Sequence, residues 1–139
     1  MWAILNLLNW INNILLTLKG IIMTYRKVVK SSEVTGVDVK NQSGENLGKI
    51  NEVVIDKAHG KVSYLVLSFG GILGFGNKFF AIPWNMFTYN EEEDCFILNL
   101  DKERLKDAPG FDKDNWPNFT SPNVSTSIEQ FYSKHKKVK

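Results

Sequence analysis

The sequence contains one cysteine, Cys95, and two histidines among its 139 residues. A single cysteine cannot form a disulfide within the chain, and the cysteine and histidine spacings of a zinc site are missing. We therefore expect no disulfide, no metal and no cofactor, and we expect residence in the reducing cytoplasm. A chain of this length can bury one compact core without such cross-links.

Groups that carry out catalysis are scarce, and so is the charge that attracts nucleic acids. The formal net charge of +2 is too small to indicate a nucleic-acid partner. His59 and the carboxylates at 91–94 lack the ligand spacings of metal sites, so we interpret them as solvated turn residues. The glycines at 70–76 are not followed by a helix and do not form a phosphate loop. The sequence predicts no catalytic residue, and we do not expect an enzyme.

A strongly apolar hairpin lies between residues 61 and 84. Apolar side chains fill both faces of residues 62–69, which is typical of a strand that is covered on both sides. A second apolar run at 79–82 ends at Pro83, whose nitrogen cannot donate to a ladder. We predict two paired strands here and place Trp84 in the core.

Glycines surround three large apolar residues at the tip of this hairpin: Ile72, Leu73 and Phe75. Glycine gives the backbone access to positive φ, so a loop can hold these side chains. Two interpretations are open. The three side chains bind a partner protein, since exposed apolar patches mark interaction sites, or they plug the end of the β core.

Alternating apolar residues predict further strands on both sides of the hairpin. We expect these strands at 37–40, 47–56, 86–89 and 95–100. The predicted core residues are Val62, Tyr64, Val66, Leu67, Ile82, Phe96 and Leu98.

The C-terminal part alternates short helical patterns with polar stretches. Residues 101–106 begin with an aspartate that suits an N-cap, and they predict a short helix. The tail after residue 125 predicts a second helix, whose apolar side carries Ile128, Phe131 and Tyr132. We expect three aromatic residues between these helices to lie over the surface of the β core: Phe111, Trp116 and Phe119.

Residues 1–22 differ in composition from the rest, because they are apolar and Lys19 is their only charge. Asn6, Asn9 and Asn13 fall in one stripe of a helix. Inside a bilayer each asparagine would need a polar partner, which argues against a clean membrane span.

Three interpretations of this helix remain open. It lies on a membrane surface, it packs on its own protein or on a second copy, or the natural chain starts at Met23 and this segment is a mis-assigned start. On a membrane, Arg26, Lys27 and Lys30 would hold the following domain on the cytoplasmic side. The membrane-contact residues would then be Trp2, Leu5, Leu8, Ile11 and Leu15.

Four motifs follow one another in the chain: GVDV at 36–39, GENLGKI at 44–50, GKVSYLVLSFGG at 60–71 and KFFAIPW at 78–84. Together they resemble the PRC-barrel family. This small β-barrel occurs in the cytoplasmic part of the photosynthetic reaction-centre H subunit and in the C-terminal domain of the RimM-type ribosome maturation factor. The continuation at 101–117 is similar to the extension of stand-alone bacterial and archaeal members.

The resemblance implies a mainly β fold. We expect an N-terminal hydrophobic helix at 1–22, a small antiparallel β-barrel at 32–100 and an extension with short helices at 101–139.

Members of this family serve as interaction modules without chemistry of their own. The resemblance therefore implies a non-catalytic protein-interaction or scaffolding module, in ribosome-related or RNA-related assembly or in the assembly of a membrane complex. The alternative is a small barrel that binds nucleic acid. Expected partners are a protein, a second copy of the chain and, through residues 1–22, the cytoplasmic face of a membrane.

Overall fold

The computed structural model describes residues 2–25, 28–70 and 78–136, and the chain divides into two compact units, Met1–Lys30 and Ser31–Lys139. The first unit contains one helix, α1 (Trp2–Tyr25). Its large apolar side chains from Ile4 to Leu18 are exposed. The described helices include none whose length and hydropathy would carry it through a bilayer.

The second unit is a curled six-stranded sheet, a half-barrel, with short helices before and after it. The fold is mainly β, as predicted. The strands are β1 (Asp38–Lys40), β2 (Asn46–Asp56), β3 (Lys61–Phe69), β4 (Lys78–Pro83), β5 (Phe87–Asn90) and β6 (Cys95–Leu98). The helices are α2 (Ser31–Val34), α3 (Lys102–Leu105) and α4 (Pro122–Ser133), and a 3-10 turn (Trp84–Met86) joins β4 to β5.

The strands are ordered β4-β3-β2-β1-β6-β5 across the sheet. Every neighbouring pair is antiparallel except β1 and β6, which run parallel. This parallel pair differs from the all-antiparallel barrel that we expected. A parallel pair needs a long connection between its strands, and here strands β2 to β5 supply it.

Strand β2 lies very close to β3 at one point, and a glycine permits this approach. Gly48 has a φ of +138°, and a Cβ atom there would lie 2.0 Å from the carbonyl oxygen of Ser68. The pairing register also shifts between Ile50 and Glu52. Bulges of this kind increase the local twist, which curls the sheet.

The core includes buried side chains from both faces of the sheet, and the predicted residues fill much of it. Tyr64, Val66, Leu67, Ile82, Phe96 and Leu98 are buried, and Val62 is half-buried. Four consecutive residues of β3, 64–67, are buried, which confirms a central strand covered on both faces. Leu105 of α3 and Ile128 and Tyr132 of α4 complete the core. Each fully buried side chain of this size contributes about 1.5–3 kcal/mol.

The two edges of the sheet differ in how far other segments of the chain cover them. At β4, Phe79 and Phe111 exchange two backbone hydrogen bonds of 2.9 Å, and α4 packs against the strand. A Cβ atom on Gly110 would lie 2.9 Å from the Phe80 ring, so the covering segment sits directly on the strand. At β5, no strand of the described part of the chain pairs with the outer side. We call these the covered edge and the open edge.

Helix α4 begins at Pro122, before the predicted start at residue 125. Proline is favoured in the first turn of a helix because its missing N–H would have no helical partner there.

Candidate interaction surface

Each edge of the sheet carries a cluster of aromatic side chains. On the covered edge, Phe111 lies 5.9 Å from Phe79, 4.8 Å from Trp116 and 6.2 Å from Phe119, measured between ring centroids. Phe119 also contacts Tyr64 of the core. The three aromatic residues of the extension therefore lie over the sheet, as predicted.

The cluster on the open edge is built around Phe96 of β6, which is buried. Its ring centroid lies 5.2 Å from that of Tyr89, 5.8 Å from Phe87 and 6.0 Å from Trp84. Trp84 and Tyr89 are nevertheless 43% and 44% exposed. Thr88, their neighbour on β5, is also exposed. Two large aromatic side chains are therefore partly exposed beside β5, the edge strand whose outer side has no partner strand among the described residues.

The prediction that Trp84 lies in the core is wrong. Pro83 is buried at the end of β4, but the 3-10 turn begins directly after it and moves Trp84 to the surface. Its ring contacts Phe96 from outside in an edge-on geometry. Sequence reasoning also missed Tyr89 as a surface residue, because alternation along β5 does not show which strand lies at an edge.

A turn of four carboxylates, 91–94, connects β5 to β6 and is exposed, as expected for a solvated hairpin tip. The side-chain oxygen of Asn90 accepts hydrogen bonds from the backbone N–H groups of Glu92 (3.0 Å) and Glu93 (3.2 Å). The Tyr89 hydroxyl donates to the Asp94 carboxylate, and Asp94 adopts a left-handed φ of 50°. These bonds fix the turn and the orientation of the Tyr89 ring.

A salt bridge connects this turn to β1. Lys40 Nζ lies 3.2 Å from Glu93 Oε2, and this hydrogen bond raises the pKa of Lys40 above its usual 10.5.

The nearby Cys95 thiol is buried, and burial raises its pKa. A thiol whose pKa is raised by burial is a poor nucleophile at neutral pH.

Next to the salt bridge lies a polar groove of about 470 Å³, which includes Lys40, Asn41 and Glu93 in its lining. Asn41 is buried, and its side-chain oxygen accepts the N–H groups of Ser43 (3.1 Å) and Glu45 (2.9 Å). Its amide donates to the Glu45 carboxylate at 2.8 Å. Because these groups satisfy one another, we interpret the groove as part of the turn before β2.

His59 and Asp56 form a pair that the sequence did not lead us to expect. His59 Nδ1 lies 2.7 Å from Asp56 Oδ2 in the exposed turn between β2 and β3. This hydrogen bond, together with that from the His59 N–H, lowers the pKa of Asp56 below 3.8. The pair holds the turn, and its exposure agrees with the interpretation of His59 as a solvated turn residue. The sequence feature that could have predicted this pair is the spacing of three residues between Asp56 and His59 within a polar turn.

The predicted partner-binding residues Ile72, Leu73 and Phe75 lie outside the described residues. Of the predicted membrane-contact residues, Leu5, Leu8, Ile11 and Leu15 are exposed on α1, and the side chain of Trp2 lies outside the described part.

The fold and the surface define a small β-barrel module. A family model described as PRC-barrel domain matches residues 26–105, more than half of the chain. The chain therefore belongs to the PRC-barrel family, as the sequence motifs predicted. No curated protein matches it significantly. The matched residues include the open edge, whereas Phe111 and α4, which cover the other edge, follow the matched region.

Proposed function

We propose that this chain is a non-catalytic interaction module that binds an extended segment of a partner protein at its open edge. The observation that carries the proposal is the exposure of Trp84 and Tyr89, at 43% and 44%, beside strand β5, whose outer side pairs with no strand of the described residues. The described residues of this surface present no nucleophile paired with a base, which supports a binding role over catalysis.

Strand addition explains why these features occur together. An edge strand offers unpaired N–H and C=O groups, and an extended peptide can satisfy them by adding a strand to the sheet. Tryptophan and tyrosine are the side chains that most often dominate binding energy at interfaces. The turn at 91–94 orients Tyr89 before binding, so little ordering is left for the moment of association.

Charge indicates the kind of partner. Of the four carboxylates at 91–94, Glu93 alone forms a salt bridge among the described residues. An acidic turn beside the aromatic residues attracts lysine and arginine side chains and repels phosphates. This favours a basic protein segment and disfavours nucleic acid as the partner of this surface.

A barrel with this surface suits the assembly of a larger cytoplasmic complex, in which it would hold one partner without changing it chemically. Ribosome maturation and membrane-complex assembly are both roles of this kind. The loop residues Ile72, Leu73 and Phe75 remain a proposed second contact surface. If they bind a partner, replacing all three with serine should abolish that interaction without lowering the unfolding midpoint, because such residues lie outside the core.

The open edge can be tested by selecting binders from a random peptide library with the full-length protein as bait. We expect enrichment of peptides in which lysine or arginine accompanies alternating apolar residues. The double variant Trp84→Ser/Tyr89→Ser should lose the selected peptides while keeping its unfolding cooperativity.

The matched control is Ile55→Ser, which removes an exposed apolar side chain from β2, three strands away from β5 in the sheet. It should bind the selected peptides like the unmodified protein. Equal binding by the double variant and by this control would contradict the proposal, and so would enrichment of acidic peptides.

A further inference from the structure

Helix α1 exposes ten large hydrophobic side chains between Ile4 and Leu18. A soluble helix rarely exposes so much apolar surface unless something else covers it. The arrangement of these side chains along the helix indicates what that cover is.

The apolar residues of α1 follow a seven-residue repeat. In a heptad labelled a to g, isoleucine and leucine occupy every a and d position of the described side chains: Ile4, Leu7, Ile11, Ile14 and Leu18. The sequence continues the repeat with Ile21 at the next d position. Alternating spacings of three and four residues keep one seam facing a partner helix along its length, which is the pattern of a coiled coil.

The polar side of α1 is uncharged. Asn6, Asn9 and Asn13 lie at c and f positions, away from the seam, on the side that also carries Leu5 and Leu16. Thr17 lies at a g position beside the seam and donates to the Asn13 carbonyl at 2.9 Å. Helices that lie on anionic membranes carry lysine and arginine on their polar side. Lys19 is the only charged residue of α1. The charge pattern therefore favours a protein surface as the cover.

We propose that α1 associates with α1 of a second copy of this chain along the seam formed by Ile4, Leu7, Ile11, Ile14 and Leu18. Leu8 and Leu15 at the e positions widen the apolar stripe beyond a strict a/d seam, so the bundle also has room for further copies. Each copy would bring its own barrel, which would place several open edges in one assembly. The inference rests on α1 alone and does not depend on the proposed function of the open edge.

The first test measures the mass of the full-length protein by light scattering over a range of concentrations. The unmodified chain should form an assembly larger than a monomer. The seam variant Ile11→Asp/Ile14→Asp should raise the dissociation constant by at least about tenfold, because it puts carboxylates into the seam. The matched control Leu5→Asp/Leu16→Asp adds the same charge at b and f positions and should associate like the unmodified chain.

A second test keeps the seam apolar and does not depend on how well the seam variant folds. Ile11→Cys should form an intermolecular disulfide under mild oxidation, whereas Asn9→Cys, on the opposite side of α1, should not. The native Cys95 is buried and serves as the background control.

Four results would overturn the proposal. The unmodified chain could remain a monomer at every concentration, the seam and control variants could associate equally, or both cysteines could cross-link equally. Phosphatidylcholine and phosphatidylglycerol vesicles should not bind the protein as a monomer. If they do, the membrane surface covers α1 instead.

Discussion

Trp84 and Trp116 expose nearly the same fraction of their surface, 43% and 42%, yet they belong to opposite edges of the sheet. Trp116 lies within 6.4 Å of three rings, those of Phe79, Phe111 and Phe119, measured between centroids. Among the described residues, Trp84 contacts one aromatic ring, that of Phe96. The two tryptophans are therefore equally exposed but unequally packed, because Trp116 has three neighbouring rings and Trp84 has one.

The same difference extends to the backbone. At the covered edge, the Phe79 and Phe111 peptide groups satisfy each other. At the open edge, a strand of four residues is bounded by an acidic turn, and both features limit uncontrolled strand pairing. We expect the covered edge to contribute more to stability than the open edge, which carries the proposed binding surface.

The largest effect is expected at the centre of the covered-edge cluster. Phe111→Ala should lower the free energy of unfolding by about 2–3 kcal/mol, since it removes a half-buried ring with three aromatic neighbours. Thr88→Ala at the open edge should change it by less than about 0.5 kcal/mol. Urea unfolding of both variants measures the difference. Similar losses in the two would remove the distinction between the edges.

The two tryptophans give a closer comparison. Trp116→Ser should cost about 2 kcal/mol of unfolding free energy, whereas Trp84→Ser should cost less than about 1 kcal/mol, because aromatic pairs contribute roughly 0.5–1.5 kcal/mol each. Thermal unfolding of the paired variants measures this. We expect Trp84→Ser, and not Trp116→Ser, to lose the peptides selected with the open edge. The reverse ranking of stability would show that the open edge also holds the fold together.

Two tyrosines allow a comparison of single hydroxyl groups. Tyr132 of α4 is buried, burial raises its pKa, and its hydroxyl has no hydrogen-bond partner in the described structure. Tyr132→Phe should therefore raise the free energy of unfolding by about 1 kcal/mol, because an unsatisfied buried group is removed. Tyr89→Phe at the open edge loses the hydrogen bond to Asp94 and should lower the free energy of unfolding by about 0.5 kcal/mol. Denaturant midpoints should move in opposite directions, and a destabilised Tyr132→Phe would mean that its hydroxyl is satisfied.

The smallest effect concerns the salt bridge beside the open edge. Glu93 raises the pKa of Lys40 above 10.5 in the folded protein. The Lys40–Glu93 pair therefore stabilises the folded protein fully at pH values below the pKa of lysine in the unfolded chain. This stabilisation is lost as the pH rises through the higher pKa of Lys40 in the folded protein. The unmodified protein should therefore lose a small part of its stability above about pH 10.5. This loss should be smaller in Lys40→Met, whereas Lys61→Met should show the same loss as the unmodified protein. Unfolding midpoints measured across that range are the test, and identical slopes would show that the pair contributes nothing.

Much of the fold could be predicted from local patterns. Continuous apolar residues in β3 indicated a strand covered on both faces, and the burial of residues 64–67 confirms this. The placement of Phe111, Trp116 and Phe119 over the sheet followed from the position of large rings in a polar stretch. Both inferences depended only on the hydrophobicity and size of side chains within a short stretch of sequence.

The open edge could not be predicted in this way. Whether β5 is central or peripheral depends on β6 pairing with β1, a contact between residues far apart in the chain. Trp84 was misplaced for a related reason, because a short 3-10 turn replaces the strand directly after the buried residues of β4. Local periodicity contains neither piece of information.

The parallel contact between β1 and β6 also has a dynamic consequence. Two residue pairs, Val39 with Phe96 and Lys40 with Ile97, make up the ladder that joins the β5–β6 hairpin to the rest of the sheet. We predict that so short a ladder makes the β5–β6 hairpin the first part of the sheet to open, while β2, β3 and β4 stay folded. A peptide strand bound to β5 would stabilise the closed β5–β6 hairpin. Amide hydrogen exchange in β6 should therefore become slower as more of the protein binds the peptide.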